Sequence, residues 1–210
     1  MSLNVLKLML VMGMIGHAIN MYCDRILSIF PNGTISFQNI KDIGKDDVAA
    51  KMMDGVSEKV PMRSAVWGAF ALFLEFFGYS ALAIYTYEQA HVYGIIMLLS
   101  VIFFCIVGAA YHVKCAFSEY IFLKMGRDEK AKEMMLALLN EAPILRVCMV
   151  ALFVFIVTLI IAIVTGAIGF PMWAVVFTIV PIFIIMLPFK IIGTLHIAAI
   201  ASMLVWIILI

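Results

Sequence analysis

The feature that most constrains this chain is a run, residues 147–189, without a single aspartate, glutamate, lysine or arginine. Residues 92–113 and 191–210 are equally free of these four residue types. About 20 apolar residues are enough to cross the roughly 30 Å of hydrocarbon in a bilayer as a helix, whereas a barrel strand needs about half that length. The composition, 66% hydrophobic, exceeds the roughly 45–50% of soluble domains. We therefore predict an all-α integral membrane protein.

The hydropathy pattern predicts one integral membrane domain, residues 1–210, folded as a polytopic bundle of about six transmembrane helices. The long uncharged run exceeds one crossing, so a reversal is expected at 165–171, and Pro181 is expected to kink the fifth helix. Lys7 and the apolar residues after it resemble a signal peptide without a small-residue cleavage site, so we expect an uncleaved first span. The predicted spans are 4–27, 64–87, 91–116, 145–166, 171–188 and 191–209.

The basic residues are concentrated in alternate loops, which predicts the orientation in the membrane. The first and third loops are rich in lysine and arginine, the second and fourth contain neither, and Lys190 marks the fifth. By the positive-inside rule, loops one, three and five are cytoplasmic and both termini lie outside. The basic residues of the first and third loops are Lys41, Lys45, Lys51, Lys59, Arg63, Lys124, Arg127, Lys130 and Lys132.

Two cytoplasmic segments combine apolar and charged residues in a way that is typical of amphipathic helices. They are 46–60 and 128–141, and we expect each to lie on the membrane surface or to cap the bundle, with a ligand gate as the alternative. Pro31, Asn32 and Gly33 predict a turn between the first span and the first of these segments. The net charge of +1 gives no reason to expect a nucleic acid as a partner.

Glu75 is the most informative polar residue, because it lies in the middle of an apolar span between Arg63 and Glu88. A carboxylate at that depth costs roughly 2.5–3.5 kcal/mol on insertion scales, so such a residue usually has a function. On the same helical face, one and two turns away, lie Tyr79, Ala71 and Gly68. Glu75 is therefore predicted to face the interior of the bundle.

Spacings of three and four residues place other polar groups on shared helical faces. The first span carries one such stripe, the third span another, and the sixth span adds a histidine. Together with Glu75, we expect these groups to line one pocket that opens to the cytoplasm. They are His17, Asn20 and Asp24 on the first span, Cys105, Gly108, His112, Cys115 and Glu119 on the third, and His196 on the sixth.

Imidazole and carboxylate groups together are the usual ligands of catalytic zinc, which keeps one position open for water. We predict that a zinc ion is held by candidate ligands from the stripes, and that Glu75 acts as a general acid or base. The structural alternative is that each polar group only bonds a neighbouring helix, which is worth about 0.6 kcal/mol. The predicted metal ligands are His17, Asp24, His112 and His196, and the other predicted pocket residues are Asn20, Tyr79, Cys115 and Glu119.

Three segments of the sequence resemble an uncharacterised family of prokaryotic multispanning membrane proteins. They are the run Gly-His-Ala-Ile-Asn-Met-Tyr-Cys-Asp-Arg-Ile-Leu at 16–27 with Pro-Asn-Gly at 31–33, the run Leu-Glu-Phe-Phe-Gly-Tyr at 74–79, and Ala-Ala-Tyr-His at 109–112. The resemblance covers most of the chain. It implies a location in a prokaryotic cell membrane and brings no assigned activity.

The histidines also give a weaker similarity to the alkaline ceramidase and progestin-receptor-like intramembrane hydrolases. Those proteins bind zinc through His and Asp residues on several helices, with a Ser-x-x-x-His helix and a late His-x-x-x-His pair. Here the third span has Gly108 four residues before His112, and the last span has His196 with Ile200 four residues later. The number of spans is one short of that family. The similarity implies a zinc-dependent hydrolase of lipids.

Three functions remain open on the sequence alone. The first is a cytoplasm-facing intramembrane hydrolase, with or without a metal, that acts on a lipid-like or other small-molecule substrate. The second is a small transporter or an ion or proton channel with a buried His/Glu relay. The third is a membrane interaction protein whose buried polar groups hold helices together. The expected partners are membrane lipids, the substrate and, as a further alternative, other copies of the chain in a homo-oligomer.

Overall fold

The computed structural model describes residues 1–35, 43–45, 47–140 and 143–210. Lys41 of the basic first loop, and Asp46 and Glu141 at the ends of the two amphipathic segments, lie outside the described residues. The described residues are 80% helical with almost no sheet. Its elements are α1 (Leu3–Ile26), β1 (Ile29–Phe30), β2 (Gly33–Thr34), α2 (Val48–Met52), α3 (Lys59–Gln89), α4 (His91–Lys124), α5 (Glu129–Asn140), α6 (Ile144–Val164), α7 (Ile179–Met186) and α8 (Thr194–Leu209), with 3₁₀ helices at Met172–Phe177 and Leu187–Phe189.

Among the residues that the structure describes, four helices are long and apolar enough to cross a membrane. Three of them are α1, α3 and α4, with 24, 31 and 34 residues. The fourth apolar region contains α6, whose 21 residues span about 30 Å at 1.5 Å per residue. This agrees with the prediction of an all-α chain and favours a membrane protein.

The bundle is built around α3, which packs against both α1 and α4. A single residue, Ala90, separates α3 from α4, so the two helices form an antiparallel hairpin. Helix α4 also packs against α6, while α8 packs against α1 and α7. A methyl group added to Gly13 would lie 2.6 Å from the Cα of Gly78. Because neither Gly13 nor Gly78 has a side chain, α1 approaches α3 closely where these two glycines meet.

The fifth predicted span is three short helical segments rather than one continuous helix. Thr178 has an extended conformation (φ −70°, ψ 162°) that separates the first 3₁₀ helix from α7. A helix running through Thr178 would place the ring of Pro181 against the carbonyl group of Phe177. The break instead puts Pro181 in the first turn of α7, where its missing N–H leaves no bond unmade. The predicted kink at Pro181 is therefore replaced by a break three residues earlier.

Helix α7 runs antiparallel to α8. Thr178 and Ile179, at the start of α7, lie beside Ser202 and Met203 in the second half of α8. At the other end the chain reverses through Lys190 and Gly193, which have φ values of 53° and 85°. The described helical residues of this arm, 179–189, and the 16 residues of α8 are both shorter than a full-length span.

A small apolar cluster covers the end of α4 that lies near α5. Residues of the β1–β2 hairpin, α2, α4 and α5 contribute to it. The prediction of a helix at 128–141 agrees with α5, but the segment at 46–60 contains only the five-residue α2 before α3 begins at Lys59. Both segments contribute apolar side chains to this cluster, and its buried members are Phe30, Ile43, Ala49, Met53, Phe122, Leu123, Ala131 and Met135.

Candidate functional site

Three buried side chains from three different helices meet inside the bundle. His17 on α1 and His196 on α8 place their Nδ1 atoms 3.0 Å apart. The Oε1 atom of Glu75, on α3, is 3.2 Å from Nδ1 of His17 and 3.8 Å from Nδ1 of His196. The three residues are 2%, 8% and 1% exposed, in the order His17, His196, Glu75. We call them the inner group.

The three atoms of the inner group surround a single point. For separations of 3.0, 3.2 and 3.8 Å, the point equidistant from all three atoms lies about 2.0 Å from each. Zinc binds imidazole nitrogen at about 2.0–2.1 Å and carboxylate oxygen at about 2.0–2.2 Å. The inner group therefore has the donor types and the spacing of a divalent metal site, and among the described residues it is a set that could hold an ion.

The short contact between the two histidines limits their protonation. Two ring nitrogens 3.0 Å apart cannot both carry a hydrogen that points at the other. Either one nitrogen donates its proton to the other or to Glu75, or both nitrogens present lone pairs to a cation. The arrangement thus suits either a shared proton or a metal ion.

The surroundings of Glu75 hold its carboxylate in place. Asn20, one turn after His17 on α1, donates from Nδ2 to Oε1 of Glu75 at 3.0 Å. A methyl group added to Gly16 would lie 2.7 Å from the backbone nitrogen of Glu75, so the glycine lets α1 approach the carboxylate. Tyr79 makes an edge contact with the ring of His17, with centroids 5.5 Å apart. Asn20 and Tyr79, two of the predicted pocket residues, are therefore part of the site.

Asp24 lies on the outer side of His196. Its Oδ2 is 3.1 Å from Nε2 of His196, the ring nitrogen that faces away from the inner group. The Asp24 side chain is 38% exposed, unlike any residue of the inner group. In metal sites a ligating histidine usually gives its second N–H to a carboxylate, which fixes the tautomer and the ring orientation. Asp24 stands in that position relative to His196.

His112, on α4, faces the other oxygen of Asp24 and is not part of the inner group. Its Nδ1 is 3.7 Å from Oδ1 of Asp24, and its Nε2 is 3.1 Å from Oγ and 3.2 Å from the carbonyl oxygen of Ser64. The carbonyl group can only accept, so Nε2 of His112 carries the proton. A methyl group on Gly68 would lie 2.1 Å from this ring, so the glycine makes room for it. We call Asp24, Ser64 and His112 the outer group.

The outer group has the connectivity of a Ser-His-Asp triad, but not its hydrogen bonding. Ser64 is completely buried and its hydroxyl donates to the carbonyl oxygen of Cys23 at 3.2 Å. A nucleophilic serine would instead donate to a basic nitrogen of the histidine. Because Nε2 of His112 is already a donor, the serine is not activated. Ser64 therefore holds His112 in position.

The structure separates the predicted site residues into three sets. His17, His196 and Glu75 converge. Glu75, which we predicted to act as a general acid or base, is therefore itself a candidate metal ligand. Asp24 and His112, which we predicted as ligands, form the next layer. Cys115 and Glu119 lie farther along α4, and within the part of the chain that the structure describes no hydrogen bond or ion pair joins them to the inner group.

Ser64 is the member of the site that the sequence analysis missed. It lies four residues before Gly68 on the face that also carries Ala71 and Glu75, so the same helical spacing extends to it. The signal was present, but a serine next to Arg63 at the start of a predicted span also fits an ordinary helix end.

Two buried polar atoms next to the inner group have no hydrogen-bond partner among the described residues. They are Nε2 of His17 and Oδ1 of Asn20. A buried polar group without a partner costs about 1–3 kcal/mol, so such atoms usually have a ligand, a water molecule or a catalytic role. Oδ1 of Asn20 is an acceptor attached to the same amide that bonds Glu75.

A family model described as a family of unknown function, DUF6796, matches residues 1–208. The chain belongs to this family. No curated protein and no solved structure matches the chain.

Proposed function

We propose that this member of the DUF6796 family is an integral membrane protein whose inner group binds a divalent metal ion, with zinc as the best fit, and that the bound ion supports hydrolysis of a lipid-like substrate. The observation that carries the proposal is the convergence of His17, Glu75 and His196 on a point about 2.0 Å from each donor atom, calculated from their separations.

The donor set favours a catalytic over a purely structural metal. Two histidines and one carboxylate are three protein ligands, the number that catalytic zinc sites use, and they leave a fourth position open. A divalent ion held by His17, Glu75 and His196 would lower the pKa of a bound water to about 7 and would so supply a nucleophile at neutral pH. Oδ1 of Asn20, which has no hydrogen-bond partner among the described residues, is able to accept a hydrogen bond from such a water. Burial in the bundle favours a substrate that reaches the site from the membrane.

The metal is tested directly on the purified full-length protein. We expect about one zinc ion per chain by elemental analysis, lost on dialysis against a strong chelator and restored by added zinc. Fatty-acid release from ester- or amide-linked lipids should fall and return with the metal content. A protein without bound metal, unable to take up zinc, cobalt or manganese, would contradict the metal site. Full metal content without hydrolysis would contradict only the reaction.

A proton relay is the second candidate function, and a different observation favours it. Oδ2 of Asp24 contacts Nε2 of His196, Nδ1 of His196 contacts Nδ1 of His17, and Nδ1 of His17 contacts Glu75. These contacts form an unbroken chain from a part-exposed carboxylate to a buried one. Because a metal ion would occupy the nitrogens that the relay needs, the two functions exclude each other at this site.

The relay is tested by proton flux into proteoliposomes. Flux through the metal-free protein that stops in Glu75→Gln, and that zinc inhibits, would favour a transporter or channel over a hydrolase. Absence of flux in both the metal-free and the zinc-loaded protein would remove the relay.

We also propose that the chain crosses the membrane six times with both termini outside. The uneven distribution of lysine and arginine between alternate loops supports this orientation. In this arrangement the segment formed by α7 and the two 3₁₀ helices that flank it is the fifth crossing. Asp24 then faces the cytoplasmic side. A reporter fused to the C-terminus should be accessible from outside intact cells; one found in the cytoplasm would contradict the six-span topology.

A further inference from the structure

A second site lies on the outer face of the bundle, between α4 and α6. Here the two helices form a shallow groove with a volume of about 680 Å³, away from the inner group. On α6 the lining residues recur with a spacing of one helical turn, so they form one stripe along the helix. The groove is lined by Leu99, Ser100, Ile102, Phe103, Arg146, Val147, Val150, Ala151 and Val154.

The groove is apolar apart from one end. Among the described residues that line it, Arg146 alone is charged, and the hydroxyl of Ser100 already donates to the carbonyl oxygen of Ile96 at 2.8 Å. Arg146 is exposed, and within the described part of the chain no hydrogen bond or ion pair joins its guanidinium group to another residue. An arginine beside apolar surface, without a protein partner, is suited to bind an anion.

The dimensions of the groove fit one chain of a lipid. From Arg146 to Val154 the stripe on α6 extends about 12 Å, close to the roughly 15 Å of hydrocarbon in one leaflet. Arg146 is the third residue of α6, so it lies at the end of the apolar region where that helix begins. A headgroup at Arg146 would therefore place an acyl chain along Val150 and Val154.

From this geometry we infer that the groove is a binding site for one anionic phospholipid, with its phosphate on Arg146 and one acyl chain between α4 and α6. The guanidinium group matches a phosphate in a bidentate manner, and a basic residue near an anionic membrane surface is worth about 1 kcal/mol. The inference needs only that these helices lie in a membrane and does not depend on the metal or on hydrolysis.

The test compares lipid retention by the full-length protein. After delipidation in a neutral detergent, the protein is exposed to equal amounts of phosphatidylglycerol and phosphatidylcholine, and the bound lipids are counted by native mass spectrometry. We expect at least about a fivefold preference for phosphatidylglycerol, the factor that corresponds to the contact of about 1 kcal/mol with Arg146. Arg146→Gln should abolish the preference, whereas Lys130→Gln, which removes the same charge from an exposed site on α5, should leave it unchanged.

A second variant separates loss of the groove from loss of charge. Val150→Trp fills the groove and keeps Arg146, and it should reduce the number of retained phosphatidylglycerol molecules by about one. Equal retention of both lipids by the original protein would overturn the inference. So would an Arg146→Gln variant that keeps the preference, or a Lys130→Gln variant that loses it as completely.

Discussion

The inner and outer groups both combine histidine with a carboxylate, yet their side chains meet in different ways. In the inner group the two Nδ1 atoms and Oε1 all lie within 3.8 Å of one another, around a common point. In the outer group the contacts are serial, because Asp24 bonds His196 with one oxygen and faces His112 with the other, and Ser64 bonds His112 on its far side.

This difference separates ligands from positioning residues. A metal ion needs several donors directed at one point, whereas a serial chain of hydrogen bonds fixes the orientation of its members and can move protons. Exposure follows the same division, since Glu75 is 1% exposed and the Asp24 side chain is 38% exposed. This geometry fits the proposal that the inner group binds a metal ion, and it places the outer group, with its part-exposed Asp24, next to that site.

The largest expected effect is the loss of an inner-group ligand. Glu75→Gln keeps the size of the side chain and an oxygen for Asn20, but removes the charge that binds the cation. We expect zinc affinity to fall more than about 100-fold, beyond the 10–100-fold that loss of an outer carboxylate causes. Competition with a chelating dye measures this. Glu119→Gln, the matched control on α4, should leave the affinity within about twofold; equal losses in both variants would end the distinction between inner group and surroundings.

The next effect should come from the outer carboxylate. Asp24→Asn removes the charged acceptor from Nε2 of His196, so we expect zinc affinity to fall about 10–100-fold while one ion per chain still binds at saturation. Asp54→Asn, at an exposed position, is the control and should have no effect. If Asp24→Asn instead abolishes zinc binding as completely as Glu75→Gln, Asp24 is itself a ligand, and the distinction between inner-group ligands and outer-group positioning residues is wrong.

A smaller effect on the metal, with a clear effect on stability, is expected from crowding His112. Gly68→Ala would place a methyl group 2.1 Å from its ring, so the ring must move and its bonds to Ser64 are lost. Overpacking of this kind costs about 1–3 kcal/mol. Thermal unfolding should show a Tm several degrees lower, with zinc affinity reduced less than in Asp24→Asn.

The control for this prediction is Gly169→Ala. The added methyl group would meet only Oε1 of Gln89, at 3.4 Å, so the Tm should change little. A Gly68→Ala protein as stable as Gly169→Ala would show that His112 has room to move without consequence.

The smallest effect should follow removal of the Ser64 hydroxyl. Ser64→Ala loses the bonds to the carbonyl oxygen of Cys23 and to His112, but the carbonyl oxygen of Ser64 still accepts from His112. We expect a loss of stability of about 1 kcal/mol and nearly unchanged zinc affinity and hydrolysis. Complete loss of hydrolysis with full metal content would make Ser64 a nucleophile and reverse the roles of the two groups.

The long helices could be predicted because hydropathy is a local property. Each of α1, α3, α4 and α6 follows from an apolar stretch of about 20 residues. The ends of α1 and α6 lie within two residues of the prediction, whereas α3 begins five residues earlier and α4 ends eight residues later than predicted. The fifth predicted span was wrong as a continuous helix, since composition alone does not show where a backbone breaks. The conformation of Thr178, three residues before Pro181, decides that break.

The pocket could be predicted in part, for a related reason. Spacings of three and four residues correctly brought His17 and Asn20 onto the buried face of α1, together with Gly13. These spacings could not show which of the predicted pocket residues lie closest to Glu75. Cys115 and Glu119 continue the stripe of His112, yet a straight helix carries them along α4 and past the level of Glu75.

Hydropathy and residue spacing along the chain were enough to predict a helical protein, membrane-length apolar segments, and a carboxylate and three histidines within those segments. These properties depend on neighbouring residues along one helix. That Glu75 lies beside His17 and His196, and that Asp24 lies behind His196, depends on how the helices pack, because those contacts join residues 58 to 172 positions apart. Contacts of that kind depend on which helices approach closely, and glycines such as Gly16 and Gly68 permit that approach.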